Sequence, residues 1–358
     1  MAALMESDHT IVRQAFEGLV ASAKGKPKAL LTLAVQAHQS GNMRRSLELA
    51  QEVLALSQAD PEISLAARNL LAHSVPGWHF PMMLDQQRNL AFQDAIERAV
   101  RPDMRVLDIG SGSGLLAMMA ARAGAGAIHS CESNPVIAEV AGQIVRSNGF
   151  AERITIHNKN SSKLDAESDM GGQVDLVISE IIGKDFVCEE VLPSLRDAAR
   201  RLTKPGAQFI PQGGEIRVAL AHYERLDERM VGEVCGFDLS PFNLLRQSRL
   251  SVQGNDPALV VRGKTTSLYA FDFASIEGPT ELTSKGLEAS GGTVNGVVQW
   301  LWLQMDAYGS FENAAGPNPS RSWAMVFFPF AEPITLAPGD QVNIAASIAR
   351  NKLSIWKA

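Results

Sequence analysis

The residues Asp108-Ile-Gly110-Ser-Gly112-Ser-Gly114 constrain this chain more than any others. A short run, Arg105 to Ile109, leads into them, and an apolar helix-forming stretch, Leu115 to Ala123, follows. Strand, glycine turn and helix in that order make a βα unit whose helix begins at the strand's carboxyl end. Glycines in such a turn let a ligand approach the backbone, and the helix's first turn offers N–H groups that lack partners in the chain. A dinucleotide fingerprint would place its third glycine three residues after the second. Leu115 holds that place here and the third glycine is Gly114, so a nicotinamide site is disfavoured and a purely structural turn more so.

The unit recurs. Ala127 to Cys131, Ile154 to His157 and Val174 to Ser179 read as three further strands. Val136, Ile137, Val140, Ala141, Ile144 and Val145 recur at helical spacing between the first two of them. From Met104 to about Pro211 the predicted fold is an α/β sandwich with a parallel sheet. Before it, from about Ile11 to Ser74, the chain reads as all-helical. Leu30, Leu33, Ala34, Ala37, Gly41, Ser46, Ala50 and Val53 fall on the small and apolar positions of one tetratricopeptide-type hairpin, and Asp60-Pro61 opens a further helix, Ile63 to His73. A plain helical cap on the next domain accounts for the same residues equally well. Beyond Pro211 the texture is β: Glu215 to Leu220, Leu259 to Arg262, Gly296 to Asp306, Ala324 to Pro329 and Gln341 to Ile348, with Gly and Pro turns between, as in a sandwich or barrel. Ala221 to Ser248 interrupts this series as a more polar, partly helical insertion.

Composition narrows the function class. The 358 residues, 46% hydrophobic and 20% charged, suffice for two or three domains with substantial cores. A net charge of -6 argues against direct nucleic-acid binding. Cys131, Cys188 and Cys235 are distant and odd in number, so no disulfide framework is expected, and the seven scattered His give no zinc-type pairing. No apolar run reaches membrane-span length, and MAALMESDHT lacks a basic segment followed by an apolar one. The expectation is a cytoplasmic protein with no membrane partner.

Three acids stand where chemistry is placed. Glu132 closes the second strand, 18 residues after Gly114, where a carboxylate can accept from both hydroxyls of a ribose. Alone, it is equally an ordinary solvated acid. Glu180 ends the fourth strand beside the same crevice, and Glu189 returns nine residues later. Two carboxylates facing one pocket repel unless a cation lies between them. A guanidinium meets that requirement, being planar, permanently charged and able to donate paired hydrogen bonds. The plain alternative is that Glu189-Glu190 opens an exposed helix.

At these residues the chain resembles a known family. Asp108 to Gly114 is similar to the first motif of class I S-adenosylmethionine methyltransferases. Ser179-Glu180 through Glu189 resembles the double-Glu loop of protein arginine methyltransferases, and Met82-Met83-Leu84-Asp85-Gln86-Gln87-Arg88 resembles their M-L-x-D-x-x-R helix. His79 falls where the family has a cofactor-contacting histidine, Phe209-Ile-Pro211 at its domain junction, and Arg321-Ser322-Trp323 at its Thr-His-Trp loop. The likeness runs from about Trp78 to the last residue and is densest from Met82 to Pro211. The N-terminal helices are similar to those of the branch with tetratricopeptide repeats, and Leu115 to Asn148 to the monomethylating branch.

The resemblance implies a fold class: α/β, a Rossmann-like methyltransferase sheet domain over 76–211, then a β-barrel substrate domain over 212–358, after a helical extension over 1–75. It implies methyl transfer from S-adenosyl-L-methionine to an arginine-containing protein substrate. Glu180 and Glu189 would be catalytic and hold the guanidinium, with Trp323 beside the substrate. His79, Met82, Arg88, Asp108, Gly110, Gly112, Glu132 and Ser162 would bind the cofactor. The chain departs from the family at Ser322, in place of the loop histidine, at Ser162, in place of an adenine-binding acid, and at Trp78 and Phe80, in place of tyrosines. The resemblance also implies a homodimer through an arm at 221–248, where Met230, Val231, Val234, Phe237, Leu239, Phe242 and Leu244 are too apolar for a free surface loop. Two other functions stay open: methylation of a different nucleophile, and a catalytically weak adaptor that binds through its helices.

Overall fold

The computed structural model describes residues 14–58, 60–275 and 281–358. The N-terminal residues read above for a targeting signal, and the start of the helical region at Ile11, lie outside the described residues.

Residues 14–23 are helical and are followed by helices Pro27–Gln39, Met43–Leu56 and Pro61–Ala72. Prolines at the first turns of two of them fit positions whose N–H has no helical partner. Asn42 and Asp60 cap two helices by accepting from the N–H groups of Arg45 and Ile63. These helices bury Leu30, Leu33, Ala34, Leu49, Ala50, Val53, Ile63 and Ala67 in a cluster of their own. Asn134 Nδ2 donates to Ser74 O at 2.9 Å and Gln51 to Gln143 at 3.2 Å, fastening them to the next layer.

That layer is a five-stranded parallel sheet: β1 (Arg105–Ile109), β2 (Ala127–Cys131), β3 (Ile154–His157), β4 (Val174–Ser179) and β5 (Thr203–Ile210), in the order β3-β2-β1-β4-β5. Helices Gln86–Ala99, Leu115–Ala123, Pro135–Ser147 and Val191–Arg201 accompany it. A parallel sheet flanked by helices is the α/β architecture expected from the sequence. Strand order reverses direction at β1, which has β2 on one side and β4 on the other, so a crevice opens at their carboxyl ends. The sequence reading contains the first four strands and lacks β5. Lys204-Pro-Gly206 breaks that strand's apolar pattern, and only its end, Phe209 and Ile210, places apolar side chains in the core.

The rest of the chain builds an eight-stranded sheet from β6 (Gly213–Tyr223), β9 (Leu250–Val252), β10 (Leu259–Val261), β11 (Thr266–Asp272), β12 (Leu282–Gln304), β13 (Ser310–Glu312), β14 (Met325–Ala349) and β15 (Lys352–Lys357), with a separate hairpin of β7 (Glu233–Val234) and β8 (Phe237–Asp238). β14 unites two stretches that the sequence pattern separates, and β12 begins well before Gly296. Register shifts between Glu288 and Ser290 and between Val294 and Gly296 let these long strands bend without losing their partner. The insertion differs from its expected helical character. After β6 ends at Tyr223 it contains the β7–β8 hairpin and two tight 3-10 turns, Glu224–Arg229 and Ser240–Leu245, and no α-helix among its described residues. Gly232, Gly236 and Pro241 stop a longer helix from forming. The β sheet and the parallel sheet share one core, in which Phe186 stacks on Phe271 at 4.6 Å.

Candidate active site

Gly110, Gly112 and Gly114 all take positive φ, +86°, +51° and +78°, a region that side chains disfavour. They fold the chain back over the end of β1 and leave a cavity of about 310 Å³ bounded by this turn, by Glu132 after β2, by Glu180 after β4, and by His79 and Met82 of the short helix His79–Met83. Both Glu132 oxygens accept from backbone, one from Gly112 N–H at 3.2 Å and one from Asn134 N–H at 2.8 Å. Gly110 serves a neighbour in the chain as well as the cavity. A Cβ there would lie 2.4 Å from Ile181 Cγ2, so the turn and the loop after β4 are packed against each other.

Glu180 and Arg88 are both buried and form an ion pair. Arg88 reaches it from the helix Gln86–Ala99, donates to Asn89 Oδ1 at 2.7 Å, and lies over the Phe92 ring at 5.4 Å. Burial pushes the Glu180 carboxyl up to about 7, against the pull of Arg88, and Glu189 and Asp108 add to the rise. Glu189 lies at the open mouth of the same cavity. Its carboxyl is raised by the structure that covers one side of it and by Asp185, and is lowered by His79. Two acids that resist ionisation at one cavity are prepared to accept a cation.

The loop between them is held from the β sheet. Phe186, fully buried at φ +70°, donates its N–H to Gly183 O at 2.8 Å. Buried Asp185 accepts from Arg249 at 2.5 Å, Gln299 donates to Lys184 O at 3.3 Å, and Trp323 Nε1 donates to Ile182 O at 2.7 Å. A Cβ on Gly183 would come 1.9 Å from Cys188 Sγ and 3.4 Å from Glu189 Oε1, so absence of a side chain at 183 lets Glu189 take its position.

Several expected residues sit elsewhere. Ser162 is exposed and donates to Asn160 Oδ1 at 2.8 Å, outside the residues lining the cavity, whereas Lys159, Asn160 and Ser161 line it. The 3-10 turn Ser161–Lys163 rotates Ser162 outward. Asp108 lies behind the turn rather than in the cavity, fully buried, with Oδ2 accepting from Ser130 at 2.7 Å and its carboxyl raised to about 6 by burial. Trp323 is buried against Phe311 and does not line the cavity, so its role is to support the loop. Ser322 donates to Asp85 at 2.9 Å. Sequence reasoning missed Asp185 with Arg249, and Ser320, which donates to Asp85 at 2.6 Å. Those pairs join positions far apart in the chain and carry no local signature.

Around the glycine turn, Arg88 Nε, Asp108 Oδ1 and Ser111 Oγ are buried and have no hydrogen-bond partner among the described residues. Of these, only Arg88 and Ser111 line the cavity, and a buried guanidinium N–H beside a hydroxyl suits a ligand that carries both a carboxylate and an ammonium group. The amino-acid end of S-adenosylmethionine fits that description, and Glu132 fits its ribose.

Residues 90–214 match the family model described as ribosomal protein L11 methyltransferase (PrmA). An arginine N(omega)-methyltransferase from Streptomyces achromogenes subsp. streptozoticus is 34% identical over 316 residues, which cover 83% of this chain and 84% of that protein. A protein arginine N-methyltransferase 7 from Oryza sativa subsp. japonica is 27% identical over 266 residues, 68% of this chain and 37% of its own length. The chain thus spans well under half of that larger relative. Among solved structures, the Trypanosoma brucei PRMT1 enzyme-prozyme heterotetrameric complex with AdoHcy superposes with a TM-score of 0.70 at 24% identity, covering 79% of this chain and 93% of that one. Arabidopsis thaliana protein arginine methyltransferase 10 gives 0.65 at 18% identity, covering 80% and 93%.

Proposed function

The chain belongs to the protein arginine methyltransferase family, and on that premise we propose that it methylates a terminal guanidinium nitrogen of arginine held within a protein. S-adenosylmethionine supplies a methyl group on an electrophilic sulfonium. The convergence of Glu180 and Glu189 on the cavity beside the glycine turn carries the reading. Arg88 occupies one oxygen of Glu180, and the other remains to accept from the incoming guanidinium. Glu189 accepts from the opposite edge. Between them they draw the positive charge away from one terminal nitrogen and fix its direction, which accelerates displacement by orientation and electrostatics. A Glu189 whose carboxyl is raised is suited to receive the proton that the methylated nitrogen gives up. Arg88 Nε and Ser111 are proposed to hold the amino-acid end of the cofactor, Gly112 to let it approach, and Glu132 to accept from its ribose.

The division into a helical extension over 1–75, a cofactor domain over 76–211 and a β-barrel over 212–358 is part of the same reading. The separate core of the N-terminal helices and the two long paired strands β12 and β14 support it. We also infer a homodimer. Phe237, Phe242, Leu244 and Leu245 of the 221–248 arm are strongly exposed, and an apolar groove of about 590 Å³ lined by Leu47, Leu71, Val75, Phe80, Val140 and Ile144 lies between the N-terminal helices and the cofactor domain. An arm and a groove on one chain can be exchanged around a two-fold axis.

The test is mass spectrometry of arginine products after incubation with labelled S-adenosylmethionine and an Arg-Gly-rich protein, with free L-arginine in parallel. Methylarginine within the protein is expected. Label in free arginine alone would move the substrate to the amino acid, and label on lysine alone would overturn the reading.

A further inference from the structure

Asp85 is buried and belongs to two structures at once. As the N-cap of the helix Gln86–Ala99 its Oδ1 accepts from Arg88 N–H at 3.2 Å, the residue whose guanidinium pairs with Glu180. Its Oδ2 faces the loop before β14 and accepts from Ser320 Oγ at 2.6 Å, Ser322 Oγ at 2.9 Å, Arg321 N–H at 2.9 Å and Ser322 N–H at 3.2 Å. Ser320 is itself buried, and its Oγ also accepts from the N–H groups of Trp323 at 3.2 Å and Ser322 at 3.3 Å. At the far end of the same turn, Trp323 donates its indole N–H to Ile182 O, within the Glu180–Glu189 loop.

From this geometry we infer that Ser320 is a positioning residue for methyl transfer. It locks the 320–323 loop onto Asp85 and so sets, through Arg88 on one side and Trp323 on the other, where Glu180 and the 181–189 loop stand. The inference rests on the arginine methyltransferase reading and adds to it. Ser322, the residue at the family's loop histidine, shares the carboxylate. The shorter and more buried bond is that of Ser320, which also organises the turn that aims Trp323. Burial by itself would raise the Asp85 carboxyl, but the hydrogen bonds from Ser320, Arg88 and Ser322 outweigh it and hold the group below the usual carboxylate range. Asp85 therefore remains an anion that anchors donors and does not take up a substrate proton.

The experiment compares Ser320→Ala and Ser320→Thr with the wild type in two readouts. One is kcat against the KM for S-adenosylmethionine and arginine substrate, and the other is hydrogen exchange of the peptide spanning 180–189. Ser320→Ala is expected to lower kcat about tenfold, as loss of a charge-assisted bond implies. It should leave the cofactor KM within about twofold and speed exchange at 180–189, while Ser320→Thr, which keeps the hydroxyl, should recover most of kcat. Unchanged exchange at 180–189 in Ser320→Ala, or equal losses in the Ala and Thr variants, would overturn the assignment. If Ser320→Ala does not fold, Trp323→Phe, which removes only the indole donor, must speed the same exchange, and failure to do so overturns the inference equally. A wild type that transfers no methyl to arginine would sink the functional reading instead, and hydrogen exchange would still decide whether Ser320 sets the loop.

Discussion

Two loops of this chain carry glycines and large apolar residues, and the fold treats them in opposite ways. The 181–190 loop is gripped by side chains from β9, β11 and β12 and from the loop before β14, so that Ile182, Phe186 and Val187 are all buried. The 224–248 arm is about as rich in large apolar groups, yet Phe237 is 70% exposed and Leu244 90%. Apolar character therefore does not decide burial here; the presence of a partner surface in the same chain does. The first loop is finished within one chain and can hold two carboxylates still, whereas the second leaves its largest apolar side chains in solvent.

The largest effect should come from breaking the finished loop at its charge. Glu180→Gln removes both the anion that meets the substrate and the partner of buried Arg88, so kcat should fall about 10²- to 10³-fold. Cofactor affinity by calorimetry should change far less, because the ribose side of the cavity is held independently: Glu132 is fixed by the N–H groups of Gly112 and Asn134 and makes no bond to Glu180. A variant with near-normal kcat would detach Glu180 from the chemistry.

A smaller loss tests the loop's shape. Gly183→Ala puts a methyl group against Cys188 Sγ and should lower kcat about tenfold or more by shifting the neighbouring Glu189. Adding Cys188→Ala removes the obstructing sulfur, so the double variant should regain much of the activity. If the double variant is no better than the single one, the steric account of Gly183 is wrong.

Changing pH perturbs the same site without mutation. The Glu180 carboxyl stands at about 7 against an ordinary 4.5, chiefly through burial. Its contribution to the stability of the ligand-free protein is thus full below the ordinary value and is lost as pH rises through about 7. Activity has the opposite sign: kcat/KM should rise through about 7 as Glu180 becomes an anion, then level off. A rate profile without an acid limb near that pH would show that the charge on Glu180 is not required.

Sequence alone located much of this and misjudged some of it for physical reasons. β1 and β4 were legible as nearly continuous buried runs, and Glu132 and Glu180 because the ends of such strands face the crevice, whereas Glu189, in the loop beyond β4, is legible only through its pairing with Glu180 and the family resemblance. β5 was not, because half of it faces solvent. Gly110 reads in sequence as room for a ligand, while in the fold it is also room for Ile181, so Gly110→Val would disturb the Glu loop before it touched any cofactor. The Ser320–Asp85 and Arg249–Asp185 bonds span long stretches of chain, and nothing in one sequence marks such pairs. Ser162 stands where the resemblance puts an adenine-binding acid, yet it lies outside the cavity because the 3-10 turn Ser161–Lys163 faces it to solvent, which alignment to a family motif does not reveal.

The smallest effect on the fold, and the sharpest test of the contrast, belongs to the arm. Phe242→Ser and Leu244→Ser alter side chains that are mostly solvated in the single chain, so monomer stability should move by no more than about 0.5 kcal/mol. If the arm is completed by a second copy, sedimentation at micromolar concentration should nevertheless shift from dimer to monomer. Leu71→Ser, in the groove lined by Leu47 and Ile144, should do the same from the other side. Mixing the arm variant with the groove variant then gives a decisive outcome, because a two-fold exchange leaves one intact arm facing one intact groove, and a weakened heterodimer should form where neither variant dimerises alone. A wild-type monomer would mean that the arm has no partner copy, and its exposed aromatic residues would need a different protein to cover them.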